Sequence, residues 1–206
     1  HVEGQPRWIG MGGNELEAQP RWIGMGGAID PAYHEQWAAD LLRVSQAQTL
    51  SQGAGITVAV LDSGVDQSHP ALSGKVIAGY DFVDNDADPS EAWNGLDDDN
   101  DGLIDEAAGH GTHVAGIIAL VAPDVQIMPI RIFNTDGSAT YMTTIQAIVY
   151  AVDHGADVIN LSGNGAVPSP FLEEAINYAF AQGVVVVAAG GINVVGYPAS
   201  YSQVLA

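Results

Sequence analysis

The sequence predicts an α/β fold: a mostly parallel β-sheet with helices on both faces. Two observations carry this expectation. Four short runs of apolar, largely β-branched residues lack polar alternation, as strands buried on both faces do. Segments with apolar residues at helical spacing lie between them, so strands and helices alternate along the chain.

Residues 56–61 (ITVAVL) read as the first buried strand, ending at Asp62. Residues 110–121 read as a helix, with Val114, Ile117, Ile118 and Val121 at helical spacing. Residues 126–132 form a second strand. Residues 139–154 place Met142, Ile145, Ile148, Val149 and Val152 on one helical face, with Gly155 as the stop. Residues 157–161 (DVINL) form a third strand. Ser169 followed by Pro170, Glu173 and Glu174 marks a helix start: a capping hydroxyl, proline at the first position, and acids at the positive end of the dipole. That helix runs to Gln182 and stops at Gly183. Residues 184–189 are the fourth strand, too apolar for a wet face. In such sheets working residues gather at the carboxyl ends of the strands, where Asp62 sits.

The chain of 206 residues suits one domain, with 47% apolar and 15% charged residues to build a core. It carries no Cys, which removes disulfides, thiolate metal sites and a thiol nucleophile. The formal charge is −20, with five Lys and Arg in total, so nucleic acid is not an expected partner. No apolar run reaches membrane-spanning length. No basic segment followed by an apolar one opens the chain, so a signal peptide is expected outside this sequence. The segment QPRWIGMGG occurs twice, at residues 5–13 and 19–27. Two copies are too few for a solenoid, so residues 1–27 read as a duplicated leader or arm, and the domain is placed at 28–206.

Chemistry concentrates at two places. The first is Asp62 together with His110 in GHGTHVAG, a histidine at the mouth of a helix beside two glycines. A hydroxyl nucleophile requires an imidazole base, and the base requires a carboxylate to fix its tautomer. The second is an acidic insert at 84–106. Between Asp81 and Glu106 lie 11 of the 25 carboxylates and no Lys or Arg, a crowding that solvent or a cation must screen. Within it Asp97, Asp99, Asp101 and Gly102 fit D-x-D-x-D-G. Leu103 is placed to offer a carbonyl and Asp105 stands at the ninth position, a spacing that suits calcium. Position twelve is Ala108, so the usual bidentate Glu is lacking, and a solvated acidic loop is the alternative.

VAVLDSGVDQSHPAL (58–72) and GHGTHVAGIIA (109–119) resemble the Asp and His signatures of the subtilase family of serine proteases, in that family's order. GADVINLS (155–162) resembles its substrate-binding strand, and QGVVVVAAGG (182–191) the strand leading to its oxyanion asparagine. The similarity runs from residue 30 to residue 206. It implies that Asp62 is the orienting carboxylate and His110 the general base. Ser162 and Gly163 then bind substrate, and a polypeptide is the partner. His113 matches the second His of the motif, which is not the base, and His69 a structural His-Pro pair. The resemblance also implies a secreted or extracellular protein, and a fold incomplete at its C-terminal side, because no G-T-S-x-A nucleophile segment occurs.

Other departures touch the site. The family's A-A-G-N reads Ala188-Ala189-Gly190-Gly191-Ile192-Asn193, so Ile192 stands where the amide donor belongs unless Asn193 takes its place. Gly163 replaces a larger apolar residue of the pocket wall, and Ala71 stands where many relatives carry a calcium-ligating Asp. Two readings follow: the front part of a serine endopeptidase, or a non-catalytic calcium- or peptide-binding relative with a decayed site. A nucleotide-binding α/β protein is a poor third. No G-x-G-x-x-G opens a helix after the first strand, and there is no Walker lysine.

Overall fold

The computed structural model describes residues 37–97, 100–191 and 195–206; the duplicated segment, Asp99, Ile192 and Asn193 lie outside these. Two short helices, α1 (Trp37–Leu41) and α2 (Val44–Gln48), lead into β1 (Thr57–Asp62). There follow β2 (Tyr80–Asp81), α3 (His110–Val121), β3 (Gln126–Arg131), α4 (Tyr141–Asp153), β4 (Val158–Leu161), α5 (Pro170–Ala181), β5 (Val185–Ala188) and β6 (Val204–Leu205). The strands form one sheet in the order β2-β3-β1-β4-β5-β6, every pair parallel. The four expected strands are β1, β3, β4 and β5. The edge strands β2 and β6 have two residues each, too few to display any period.

Alternation along β1 shows why its sequence is apolar throughout. Val58 and Val60 pack with Ala115 and Ala119 of α3 on one face. Ala59 and Leu61 pack with Ala147 and Ile148 of α4 and Ile176 of α5 on the other. A strand clad on both sides has no position left for a polar residue.

The helices bury smaller residues than their apolar spacing suggested. In α3 the buried residues are Gly111, Thr112, Ala115, Gly116 and Ala119, while Val121 is exposed. In α4 they are Thr144, Ala147, Ile148 and Ala151. Of the expected α4 stripe, Ile148 is central, Ile145 and Val152 are partly buried against the core, and Met142 is 62% exposed. Small side chains let the helix backbone come close to the sheet, and the larger residues flank that seam. Three helix ends behave as expected, those at Gly155, Ser169 and Gly183, whereas α4 starts at Tyr141 behind a Thr140 cap and not at residue 139. Thr140 Oγ1 accepts the Thr143 N–H (3.0 Å), Ser169 caps α5 ahead of Pro170, and Gly155 and Gly183 take the left-handed conformation (φ 84° and 83°) after α4 and α5.

One end of the acidic segment is neutralised from a distance. β2 pairs with β3 in the register Asp81 to Arg131. The buried Arg131 guanidinium donates to Asp81 (2.7 Å) and Asp84 (2.6 Å). Counting charges within 81–106 therefore overstated the lack of counter-charge, because the parallel pairing imports one from β3.

Candidate active site

The carboxyl ends of the central strands open onto a cleft of about 840 Å³, with His110, Phe133, Ser162, Gly163, Ala189 and Tyr197 among its walls. Asp62, the last residue of β1, is fully buried, and His110 is the first residue of α3. His110 Nδ1 stands 2.7 Å from Asp62 Oδ1, which also accepts the Ser63 N–H at 2.7 Å. An ionised carboxylate only accepts, so Nδ1–H donates and the neutral ring carries its lone pair on Nε2. Asp62 Oδ2 is buried without a hydrogen-bond partner among the described residues.

The start of α3 is held by groups far away in sequence. Its N-cap is Gly109 (φ 87°), which has no side chain to satisfy the first-turn N–H groups. Gly111 N–H donates instead to Ser63 Oγ (3.1 Å), and Thr112 N–H to Glu91 Oε1 (3.2 Å). Thr112 Oγ1 accepts the Asp66 N–H at 2.7 Å. The fit needs glycine at 111, where a Cβ would lie 2.0 Å from the Gly64 carbonyl oxygen. Burial pushes the Glu91 carboxyl above its ordinary range; the hydrogen bonds from Thr112 oppose this, and the charges of Asp66 and Asp62 add to it. His113 is pushed down, first by burial and then by neighbouring His110, with Asp62 acting the other way. His69 Nδ1 accepts the Ala71 N–H and caps a short 3₁₀ turn, Pro70–Leu72.

Ser162 and Gly163 follow β4 and line the cleft, with Ser162 Oγ accepting from Asn160 Nδ2 (2.9 Å). A Cβ on Gly163 would stand 2.6 Å from Cζ of Phe133, so the Phe133 ring fills the room a larger side chain would take. Sequence reasoning missed Phe133, Glu91 and Ser63. The unusual glycine at 163 was the available signal for a bulky neighbour. Nothing local marked Glu91 among 11 carboxylates.

In the acidic loop, Asp97 Oδ1 and Oδ2 accept the N–H groups of Asp101 (3.1 Å) and Gly102 (3.0 Å). Asp101 Oδ1 accepts the Leu103 N–H (2.8 Å), and Asp105 accepts those of Asn94 (3.1 Å) and Gly95 (2.8 Å). Leu103 is exposed. Asp97, Asp101 and Asp105 are thus oriented by backbone donors, and no metal-holding group of three or more His, Cys, Asp or Glu side chains occurs among the described residues. Asp99, expected as the loop's second aspartate, and Asn193, expected as an alternative oxyanion donor to residue 192, lie outside the described residues. Among the described residues no helix is long and apolar enough to cross a membrane.

A parallel sheet with a cleft-lining histidine held by a buried aspartate is an arrangement suited to base-assisted nucleophilic chemistry. Residues 53–206 match the family model of the subtilase family, and the chain belongs to that family. Thermitase of Thermoactinomyces vulgaris is 39% identical over 191 residues, covering 86% of this chain and 63% of that protein. A thermophilic serine proteinase of Bacillus sp. (strain AK1) is 45% identical over 166 residues, covering 74% of this chain and 38% of its own length. The chain therefore spans less than two thirds of either relative. Among solved structures, a cold adapted subtilisin-like serine proteinase matches with a TM-score of 0.57 and 34% identity, over 68% of this chain and 48% of that one. Relatives named as a major intracellular serine protease and as a minor extracellular protease, both of Bacillus subtilis, show that kinship does not fix the compartment.

Proposed function

We propose that this chain supplies the Asp–His half of a subtilisin-like serine endopeptidase acting on polypeptides. The observation that carries the reading is the 2.7 Å contact between Nδ1 of His110, which lines the cleft, and the buried Asp62 carboxylate. In the proposed reaction His110 Nε2 takes the proton of a serine hydroxyl as its oxygen attacks the scissile carbonyl carbon. The same proton then goes to the departing amine, and water repeats the cycle on the acyl-enzyme. Asp62 holds the ring and stabilises its charged form, while Ser162 and Gly163 line the substrate side. The serine itself belongs to a G-T-S segment that these 206 residues do not contain, so the chain alone is expected to be inactive.

The test joins this chain to the carboxyl-terminal part of thermitase, which would supply the nucleophile segment. Peptide hydrolysis and labelling by a fluorophosphonate probe are expected in the chimera. In His110→Ala turnover should drop by about 10⁶-fold, a magnitude borrowed from subtilisin. Ile192, standing where the family's amide donor belongs, favours the second reading, a decayed relative that binds without cleaving. A folded chimera that stays silent even with Ile192→Asn would establish that second reading.

The loop from Asp97 to Asp105 is proposed to bind calcium through Asp97, Asp99, Asp101, Asp105 and the Leu103 carbonyl. The D-x-D-x-D-G spacing and the backbone-oriented carboxylates support this. A loop without the bidentate Glu fits the weak, millimolar class of site found in extracellular modules, which favours a secreted setting. Calcium at a hundredfold its dissociation constant adds about 2.7 kcal/mol of stability, read as a higher melting midpoint than in chelator. Coincident melting curves would leave a solvated loop.

A further inference from the structure

The acidic segment reaches the Asp–His pair through one residue that its calcium reading does not use. Pro89 O accepts the Val65 N–H at 3.0 Å, which ties the segment to the loop just after Asp62. Contact there is so close that a Cβ on Gly64 (φ 103°) would sit 2.6 Å from the Ser90 carbonyl oxygen. Glu91 follows directly. Its Oε1 accepts the Thr112 N–H at 3.2 Å, and Oε2 is buried without a hydrogen-bond partner among the described residues.

Three pieces of chain thus close into one ring. The loop after β1 binds the 89–91 segment, that segment binds the first turn of α3, and the turn returns to the loop through Gly111 to Ser63, Asp66 to Thr112, and His110 to Asp62. The N-cap Gly109 offers no side chain, so Glu91 serves as a cap delivered from about 20 residues upstream. His110 is in the same turn, two residues before the amide that Glu91 holds.

We infer that Glu91 is a positioning residue for His110, clamping the first turn of α3 so that Nδ1 meets the Asp62 carboxylate. This rests on reading Asp62 and His110 as a working pair. A residue that only stabilises the fold would change the melting midpoint and leave the imidazole hydrogen bond alone. A positioning residue changes that bond itself.

The test needs no peptidase activity. The full 206-residue chain, labelled with ¹⁵N-histidine, is compared by NMR as wild type, Glu91→Ala, Glu91→Gln, Glu91→Asp and Asp62→Asn. The reading is the low-field proton of His110 Nδ1. Glu91→Ala is expected to lose that resonance to exchange, while Glu91→Gln, whose amide oxygen still accepts the Thr112 N–H, is expected to keep it. A folded Glu91→Ala chain with an unmoved resonance overturns the inference. Should the Ala variant not fold, Glu91→Asp, one methylene short, gives the same reading: loss supports the clamp and an unmoved signal overturns it. Asp62→Asn separates the two levels. If it leaves the resonance in place, the Asp–His pair itself fails and the clamp with it. If it abolishes the resonance while the folded Glu91 variants do not, only the clamp is overturned.

Discussion

The Asp62–His110 corner and the acidic loop around Asp97 use the same carboxylate chemistry in opposite ways. At the corner a fully buried carboxylate meets an imidazole 48 residues further along the chain. In the loop, the carboxylates of Asp97, Asp101 and Asp105 accept from backbone amides 2 to 11 residues away, and a longer tie runs from the Asp105 N–H to Asp136 Oδ1 (3.2 Å). The corner exists only when β1, the segment at 89–91 and α3 are all in place, and its interaction runs through a low-dielectric interior. Much of the loop's pattern is self-contained and wet. Injury at the corner should therefore spread through the fold and the chemistry, and injury in the loop should stay local.

The largest break in this comparison is chemical. In an active chimera, Asp62→Asn keeps the shape of the corner but lets an amide donate where a carboxylate accepted, which favours the wrong imidazole tautomer. Turnover should fall by about 10⁴-fold, the size known for the equivalent change in another Ser-His-Asp enzyme. Kinetics on a peptide substrate check it, and a loss under tenfold would mean that His110 does not depend on this carboxylate.

Next comes packing. A methyl on Gly111 would be driven to 2.0 Å from the Gly64 carbonyl oxygen, backbone against side chain with no flexible tip to yield. Gly111→Ala should cost about 3 kcal/mol, at the upper end for overpacking, measured by denaturant titration. A cost near zero would show that α3 can slide away from the loop after β1 without penalty.

The contrast also explains what the sequence disclosed. The central strands were legible because burial on both faces leaves an uninterrupted apolar signature, and capped helix ends were legible because Ser169 and Pro170 act within one turn. The Asp62–His110 contact was legible through motif resemblance together with placement at a strand end and a helix start. Arg131 beside Asp81 was not, because a parallel register brings together residues 50 apart in a chain whose local text shows only acids. The buried faces of α3 and α4 were misjudged for a related reason. Helices that pack close to a sheet bury glycine, alanine and threonine, so spacing of the large apolar residues marks the flanks of the seam. Phe133 and Gly163 form a pair whose complementarity exists only in three dimensions.

A smaller effect concerns pH. His113 lies in the same helix turn as the corner, and burial and then His110 hold its folded-state pKa below the ordinary value of 6.5. A depressed folded pKa contributes stability that is present above the unfolded value and lost as pH falls through the folded one. Between pH 7 and pH 5 the wild type should therefore lose stability relative to His113→Gln, as read from denaturation midpoints. Parallel curves for the two proteins would exclude His113 as the source.

The smallest expected effect lies in the loop. Gly102 has φ 93°, so alanine there is strained, yet an added Cβ would meet nothing within 4 Å. Gly102→Ala thus tests backbone strain without overpacking, the reverse of Gly111→Ala. The strain itself is about 1 kcal/mol. Much of it can be relieved by opening the turn at the Gly102 N–H to Asp97 bond, which is exposed and close in sequence, so global stability in chelator should fall by about 1 kcal/mol or less. In calcium the same change should cost more, because a turn opened to relieve strain no longer presents Asp97 and Asp101 together. Denaturant titrations of wild type and variant, each with calcium and with chelator, give the four numbers needed. A loss in chelator as large as that of Gly111→Ala would show that the loop is wired into the core, and would erase the distinction between the two regions.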